Sequence, residues 1–255
     1  MRYLIVLKQN EAQGCGQSKK QGEKRIKSNS HIGSITTTQV KHSSGFSYFC
    51  QELFDMKYNL SEINELIRER RTIYPESYSD RKVHKEQIEV ILNNAQWAPT
   101  HGNTQPWRFK VFMEEAARQE LSEGLGKLYL DLIPEDLQDN LKLAKLMRRP
   151  LISSVVIAVC MKRQEEEIIP EIEEIEAVAC AIQNMHLTCT AYGIGGFWST
   201  PKIIYSGEMN EFLDLDEKDK CLGLFYIGYT ADEWPKKHRR PIEYTTEWKT
   251  GKKED

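Results

Sequence analysis

A helical stretch over residues 171–192 sets the tightest limit on how this chain can fold. Its first half is acidic, with Glu171, Glu173, Glu174 and Glu176, while its second half, AVACAIQNMHLTCTAYG, is apolar almost all the way round. A helix with no polar face must be surrounded, either by the core of its own chain or by a second subunit. Two compact β-rich runs offer it something to pack against: ISSVVIAVCM at 152–161 and CLGLFYIGY at 221–229. Their unbroken apolar character suits strands buried on both faces. A third run, WRFKVFM from Trp107 to Met113, alternates well enough for a strand.

Helices fill the intervals. Ser61 is placed to cap a first helix that carries Ile63, Leu66 and Ile67 on one face and Glu62 in its first turn. A second spans about 84–96, with Ile88, Ile91, Leu92 and Ala95 inward, and further helical patterns cover 114–129, 135–148 and 208–214. Few strands among many helices predict a mixed α and β domain. The tail, 232–255, is polar and basic but holds Tyr244 and Trp248. It is too long and too aromatic for fraying, and is expected to cross onto another surface such as a partner subunit.

The N-terminal part reads differently. Residues 1–56 carry eight Lys/Arg against four Asp/Glu in a chain whose net charge is −3. Residues 9–47 are rich in Gln, Lys, Ser, Thr and Gly and lack apolar periodicity, so they are expected to be disordered or loosely attached. Met56 opens the patterned region. The expectation is therefore an extension over 1–55, with a natural start at Met56, and one folded domain over 56–255. A targeting peptide is the rival reading, weakened by Glu11 and Glu23. No apolar run approaches a membrane span, and MRYLIVLK is too short for a signal-peptide core, which makes the cytoplasm the expected location. The six cysteines (15, 50, 160, 180, 189, 221) have no CxxC spacing. They read as small buried hydrophobes, not as a disulfide framework or a metal site.

Three separated features can carry chemistry. Arg70, Arg71 and Thr72 end the first helix; two guanidiniums and a hydroxyl match a phosphate, but arginines at a helix C-terminus also simply complement its dipole. The loop WAPTHGNTQPWRF, from Trp97 to Phe109, combines two prolines that fix φ with Gly102 and Asn103, which tolerate positive φ. It offers His101, Asn103 and Gln105 to a planar polar ligand, or else it is a surface loop pinned by Trp97 and Trp107. In GIGGFWSTP, 193–201, glycines let backbone approach closely and Ser199 and Thr200 add hydroxyls; the plain alternative is a helix cap leading into a strand. This run lacks the spacing of a dinucleotide fingerprint and follows a helix. Lys236 to Arg240 can add charge, or remain solvated.

Together these features resemble the nitroreductase family of flavin-dependent NAD(P)H oxidoreductases, in its compact single-domain bacterial form. RR(S/T) is matched by Arg70, Arg71 and Thr72, and AP(S/T)xxNxQPW by APTHGNTQPW from Ala98 to Trp107. GxGGxW is matched by Gly193 to Trp198, and KxRxP by Lys237, Arg239 and Pro241, over about residues 60–250. The resemblance implies an α+β fold with a central, mostly antiparallel sheet surrounded by helices. It also implies an intertwined homodimer with a C-terminal extension onto the partner and FMN at the subunit interface. Arg70, Arg71 and Thr72 would hold the FMN phosphate, completed by Lys237 and Arg239. Trp97, His101, Asn103 and Gln105 would line the flavin ring and ribityl chain, met from the other side by Trp198, Ser199 and Thr200. Residues 188–193 would lie near NAD(P)H.

No protein acid or base and no metal is required, because the cofactor carries hydride between NAD(P)H and a small electrophile such as a nitroaromatic or quinone. No nucleic-acid or membrane partner is expected. Tyr74 stands where many relatives have a basic residue facing the flavin, so His101 or a group of the second subunit would have to supply that charge. Two alternatives remain: a specialised relative, reductively dehalogenating or flavin-fragmenting, and a non-catalytic flavin-binding protein.

Overall fold

The computed structural model describes residues 57–251. The expectations for residues 1–55, with Cys15 and Cys50, lie outside the described residues. The rest is built on one four-stranded antiparallel sheet, β1 (Trp107–Phe112), β2 (Val155–Met161), β3 (Ile194–Ser199) and β4 (Lys220–Tyr229), in the order β1-β2-β4-β3. β2 and β4 lie in the middle, and every residue of β2 is buried. Strand alternation sends side chains to two separate cores. Val155, Ile157, Val159, Phe225 and Ile227 face α2 (Lys85–Ala95) and α5 (Glu171–Ala191). Val156, Ala158, Leu224 and Tyr226 face α3 (Glu115–Leu132), α4 (Asn140–Ile152) and the short α6 (Gly207–Phe212).

α5 is the apolar helix that the sequence demanded. Three glutamates in its first turn complement the positive end of its dipole. One of them, Glu174, is buried and ion-paired with Arg163. On its outward side Ile172, Glu176, Cys180 and Gln183 are exposed and follow helical spacing. Cys180 is thus a correction to the expectation of buried cysteines, since it falls on this outward stripe, whereas Cys160, Cys189 and Cys221 are buried.

Two boundaries also differ from expectation. Asn59, not Ser61, caps α1 (Leu60–Glu69), its side-chain oxygen accepting from the N–H groups of Ser61 and Glu62 at 3.0 and 3.4 Å. The apolar residues of α1 do share a face, yet none is buried; Ile63 and Ile67 lie exposed. The residues Ile152 to Ser154, read as the start of a strand, belong to the end of α4 and its exit. α4 runs through Pro150 to Ile152 because a distant residue closes it. Arg118 of α3 is buried and donates to the carbonyls of Pro150, Leu151 and Ser153 at 3.3, 3.0 and 2.7 Å. Those are carbonyls that a helix end leaves without partners.

Candidate functional site

The end of α1 runs into the edge of the sheet. Thr72 forms a parallel bridge with Gly196 of β3, and the N–H of Ile73 donates to the Gly196 carbonyl at 3.1 Å. This approach needs a strand without side chains: a Cβ on Gly195 would stand 2.9 Å from Cβ of Ile73 and 3.0 Å from the Tyr78 ring. Tyr78 locks the junction. Its buried hydroxyl is shared between the carbonyls of Tyr226 and Ile73, at 3.0 and 3.1 Å, and burial pushes its pKa well above the usual tyrosine range.

The C-terminal tail returns to the same place. The indole N–H of Trp234 donates to the Glu69 carbonyl at 2.7 Å, and Nε of Arg71 donates to the Pro235 carbonyl at 2.8 Å. Arg71 also reaches back to the carbonyls of Arg68 and Arg70, so its guanidinium ties the tail to the end of α1. The Arg70 side chain makes no such bond among the described residues. Its pKa is lowered by burial and then by the positive charges of Arg239 and Arg71. Three guanidiniums therefore crowd one corner, and among the described residues no carboxylate lies within ion-pairing distance of Arg70 or Arg239. Lys237 is exposed on the same tail. Such a corner is complementary to a multiply charged anion.

His186 of α5 belongs to this corner and escaped the sequence reading. It lies beneath β3, its ring edge-on to Phe225 at 4.6 Å, and a Cβ on Gly196 would stand 3.1 Å from its Nδ1. Burial, then the charge of Arg70, lowers its pKa to about 4. The available signal was a single histidine in an otherwise apolar helix, a pattern more often met in a satisfied core residue.

The other predicted elements lie elsewhere. The loop before β1 is a short helical turn at His101–Asn103 with left-handed backbone at Gly102 (φ 56°), Asn103 (φ 55°) and Gln105 (φ 47°). Pro106 and Trp107 are buried and anchor it, whereas Trp97 is 86% exposed. Gln105 donates to the side chain of Asn103 at 3.0 Å, and Nδ1 of His101 meets the Glu173 carboxylate at 2.5 Å. A cleft of about 600 Å³ opens among Gln96, Trp97, Thr100, Asn103 and Gln105.

α5 measures the gap between loop and corner. The loop touches it at Glu173 and the arginine corner adjoins it at His186, roughly 20 Å apart at the helical rise per residue. The sheet agrees, because β1 and β3 are its two opposite edges. Within one chain, Arg70, Arg71, Thr72 and Arg239 gather toward one end of α5 and Trp97, His101, Asn103 and Gln105 toward the other, while Trp198 lies between them, paired with Phe225 of β4. Trp198 lies over Gly223, where a Cβ would stand 2.3 Å from Nε1, and donates to the Leu222 carbonyl at 3.0 Å. Ser199 and Thr200 sit at the exit of β3. Beside Tyr74 there is a cation: the Arg149 guanidinium lies 6.0 Å from its ring centre and 4.9 Å from that of Phe197. His101, by contrast, is held by Glu173.

Among the described residues no group of His, Cys, Asp and Glu is arranged to hold a metal, and no helix is long and apolar enough to cross a membrane. A family model described as the nitroreductase family matches residues 67–229. The chain is 28% identical over 185 residues to the Bacillus subtilis protein YfhC, provisionally named an NAD(P)H nitroreductase, covering 71% of this chain and 91% of that one. A nitroreductase-like family protein from Bacillus cereus superposes with a TM-score of 0.65 at 27% identity, over 77% of this chain and 99% of the other. An FMN and NADPH-dependent nitroreductase, NfnB from sphigopyxis sp. strain HMH, shares the fold with a TM-score of 0.58 at 17% identity, over 74% and 99%.

Proposed function

This chain belongs to the nitroreductase family, and on that premise we propose that it is an FMN-dependent oxidoreductase. It passes hydride from NADH or NADPH to nitroaromatic, quinone or related electrophilic acceptors. The observation that carries this reading is the arginine corner at the edge of β3. Burial and then the charges of Arg239 and Arg71 lower the pKa of Arg70, with no carboxylate among the described residues within ion-pairing distance, and a phosphate monoester would relieve that crowding. The names of NfnB and YfhC, which cite FMN, NADPH and NAD(P)H for those proteins, support the choice of cofactors.

FMN, when bound, supplies two-electron hydride exchange at its ring. The work of the protein is to hold and shield that ring. Arg70, Arg239 and Lys237 would hold the phosphate, with the Thr72 hydroxyl beside them, while Arg71 keeps the tail in place. Trp198, Ser199 and Thr200 would border the ring from β3. Trp97, His101, Asn103 and Gln105 stand roughly 20 Å from that corner in the same chain, so they would complete the site from a second copy. An isologous pair, with the two α5 helices antiparallel, brings the loop of each chain to the arginine corner of the other. The open faces of α5 and α1 and the exposed Ile242, Tyr244 and Trp248 of the tail supply apolar surface for that homodimer. The electron acceptor remains a small molecule; neither nucleic acid nor membrane enters the reading.

Anaerobic titration tests the function. Purified protein should be yellow, or take up added FMN, and should be bleached by NADH or NADPH and re-oxidised by a nitroaromatic or a quinone. Protein that takes up no FMN contradicts the proposal. Flavinated protein that neither nicotinamide can bleach contradicts the enzymatic part of it.

A further inference from the structure

A pocket of about 230 Å³ lies between the exit of α4 and the segment of chain that leads into α2. None of the residues proposed for FMN lines it. Both ends of the segment are fixed. The N–H of Ser79 donates to the Tyr229 carbonyl at 2.7 Å, and the N–H of Val83 donates to Oγ of Ser154 at 2.8 Å. Between these two pins, the main-chain N–H groups of Asp80, Arg81 and Lys82 meet no acceptor among the described residues. Oγ of Ser154 only accepts, so its own proton is also available to donate.

The charge in the lining is one-sided. Arg81, Lys82 and Arg148 make no ion pair among the described residues. The Arg81 guanidinium lies over the Tyr229 ring, 3.8 Å from its centre, so one cation is held in place before any ligand arrives. Two carboxylates also line the pocket: Glu76, which pairs with Arg149 at 3.0 Å, and Asp80, which has no cation partner among the described residues. Three cations against one unpaired carboxylate leave an excess of two positive charges. The end of α4 would ordinarily repel an anion through its dipole. Here Arg118 occupies the carbonyls of Pro150, Leu151 and Ser153 and brings a further positive charge behind the wall. Surface cations are ordinarily just solvated. These differ in converging on one concavity, with a pinned guanidinium and consecutive main-chain donors beside them.

We propose that this pocket binds a phosphate dianion, either the free ion or the end of a small phosphate monoester. Its charge matches the excess of two, and its oxygens accept from the N–H groups of the segment, the Ser154 hydroxyl and the guanidiniums of Arg81 and Arg148. The site stands on this pocket alone and does not depend on the flavin reading.

Calorimetry on the full chain in chloride buffer tests it, with FMN saturating so that the arginine corner is filled. One inorganic phosphate or one glycerol 3-phosphate should bind per chain, and whichever binds more tightly identifies the source. Arg81→Gln with Arg148→Gln should weaken binding about tenfold or more. Asp80→Asn, which removes the opposing carboxylate, should tighten it about threefold or more. Lys127→Gln, on α3 and outside the lining, should leave it unchanged. Absence of saturable binding by either probe, unchanged affinity in the double arginine variant, or no gain in Asp80→Asn overturns the proposal. A loss in Lys127→Gln as large as that in the double variant also overturns it, since general surface charge would then account for the binding.

Discussion

At the scale of single residues, the chemistry of the corner rests on Arg70 and His186. A histidine with an ordinary pKa near 6.5 when unfolded and about 4 when folded takes up its proton only on unfolding between those values. Acidification through that window therefore favours the unfolded chain. In flavin-free protein, His186 should cost about 2 kcal/mol of stability between pH 7.5 and pH 5. Denaturation at the two pH values, compared with His186→Gln, measures it: the wild type should lose that much more than the variant. Equal losses would mean that the ring is protonated normally in the folded state. Arg70 and Thr72 were legible from their place after a helix. His186 was not, because its meaning depends on which strand passes over α5, and periodicity says nothing of that.

Among elements, the tail and α1 are the pair to test. Trp234 and Arg71 bind the start of the tail to the end of α1, and beyond Pro235 the chain lies exposed with its aromatics uncovered. Truncation before Lys236 keeps those anchors but removes Lys237, Arg239 and the aromatic stretch. The truncated chain should fold, yet bind FMN at least about tenfold more weakly, by the loss of charge-assisted contacts. It should also shift toward monomer in analytical ultracentrifugation. A truncated chain that stays dimeric and fully flavinated would leave the tail without a role. Most elements could be read from periodicity to within a few residues. The end of α4 could not, because Arg118, on another helix, supplies the cap that carries it past Pro150. Nor could the fate of α1, whose apolar face looked like core and is open in the single chain.

For the whole molecule, the central point is that the residues proposed for the flavin site fall in two groups toward opposite ends of α5. The motifs that mark them sit in the right order along the sequence, and read there they suggest a single pocket. Strand order undoes that impression: the loop precedes β1, the arginines adjoin β3, and these are the two far edges of the sheet. No motif reveals which strands end up as neighbours. The most direct test is complementation between two defective chains. Arg70→Ala disables the corner, and His101→Ala with Asn103→Ala and Gln105→Ala disables the loop, so each variant alone should retain little FMN. If the site is built across a two-fold axis, mixing the variants with subunit exchange gives mixed dimers in which one of two sites is intact, and about one quarter of all sites should regain flavin. No recovery, despite demonstrated exchange, would place both halves of the site in the same chain and contradict the account.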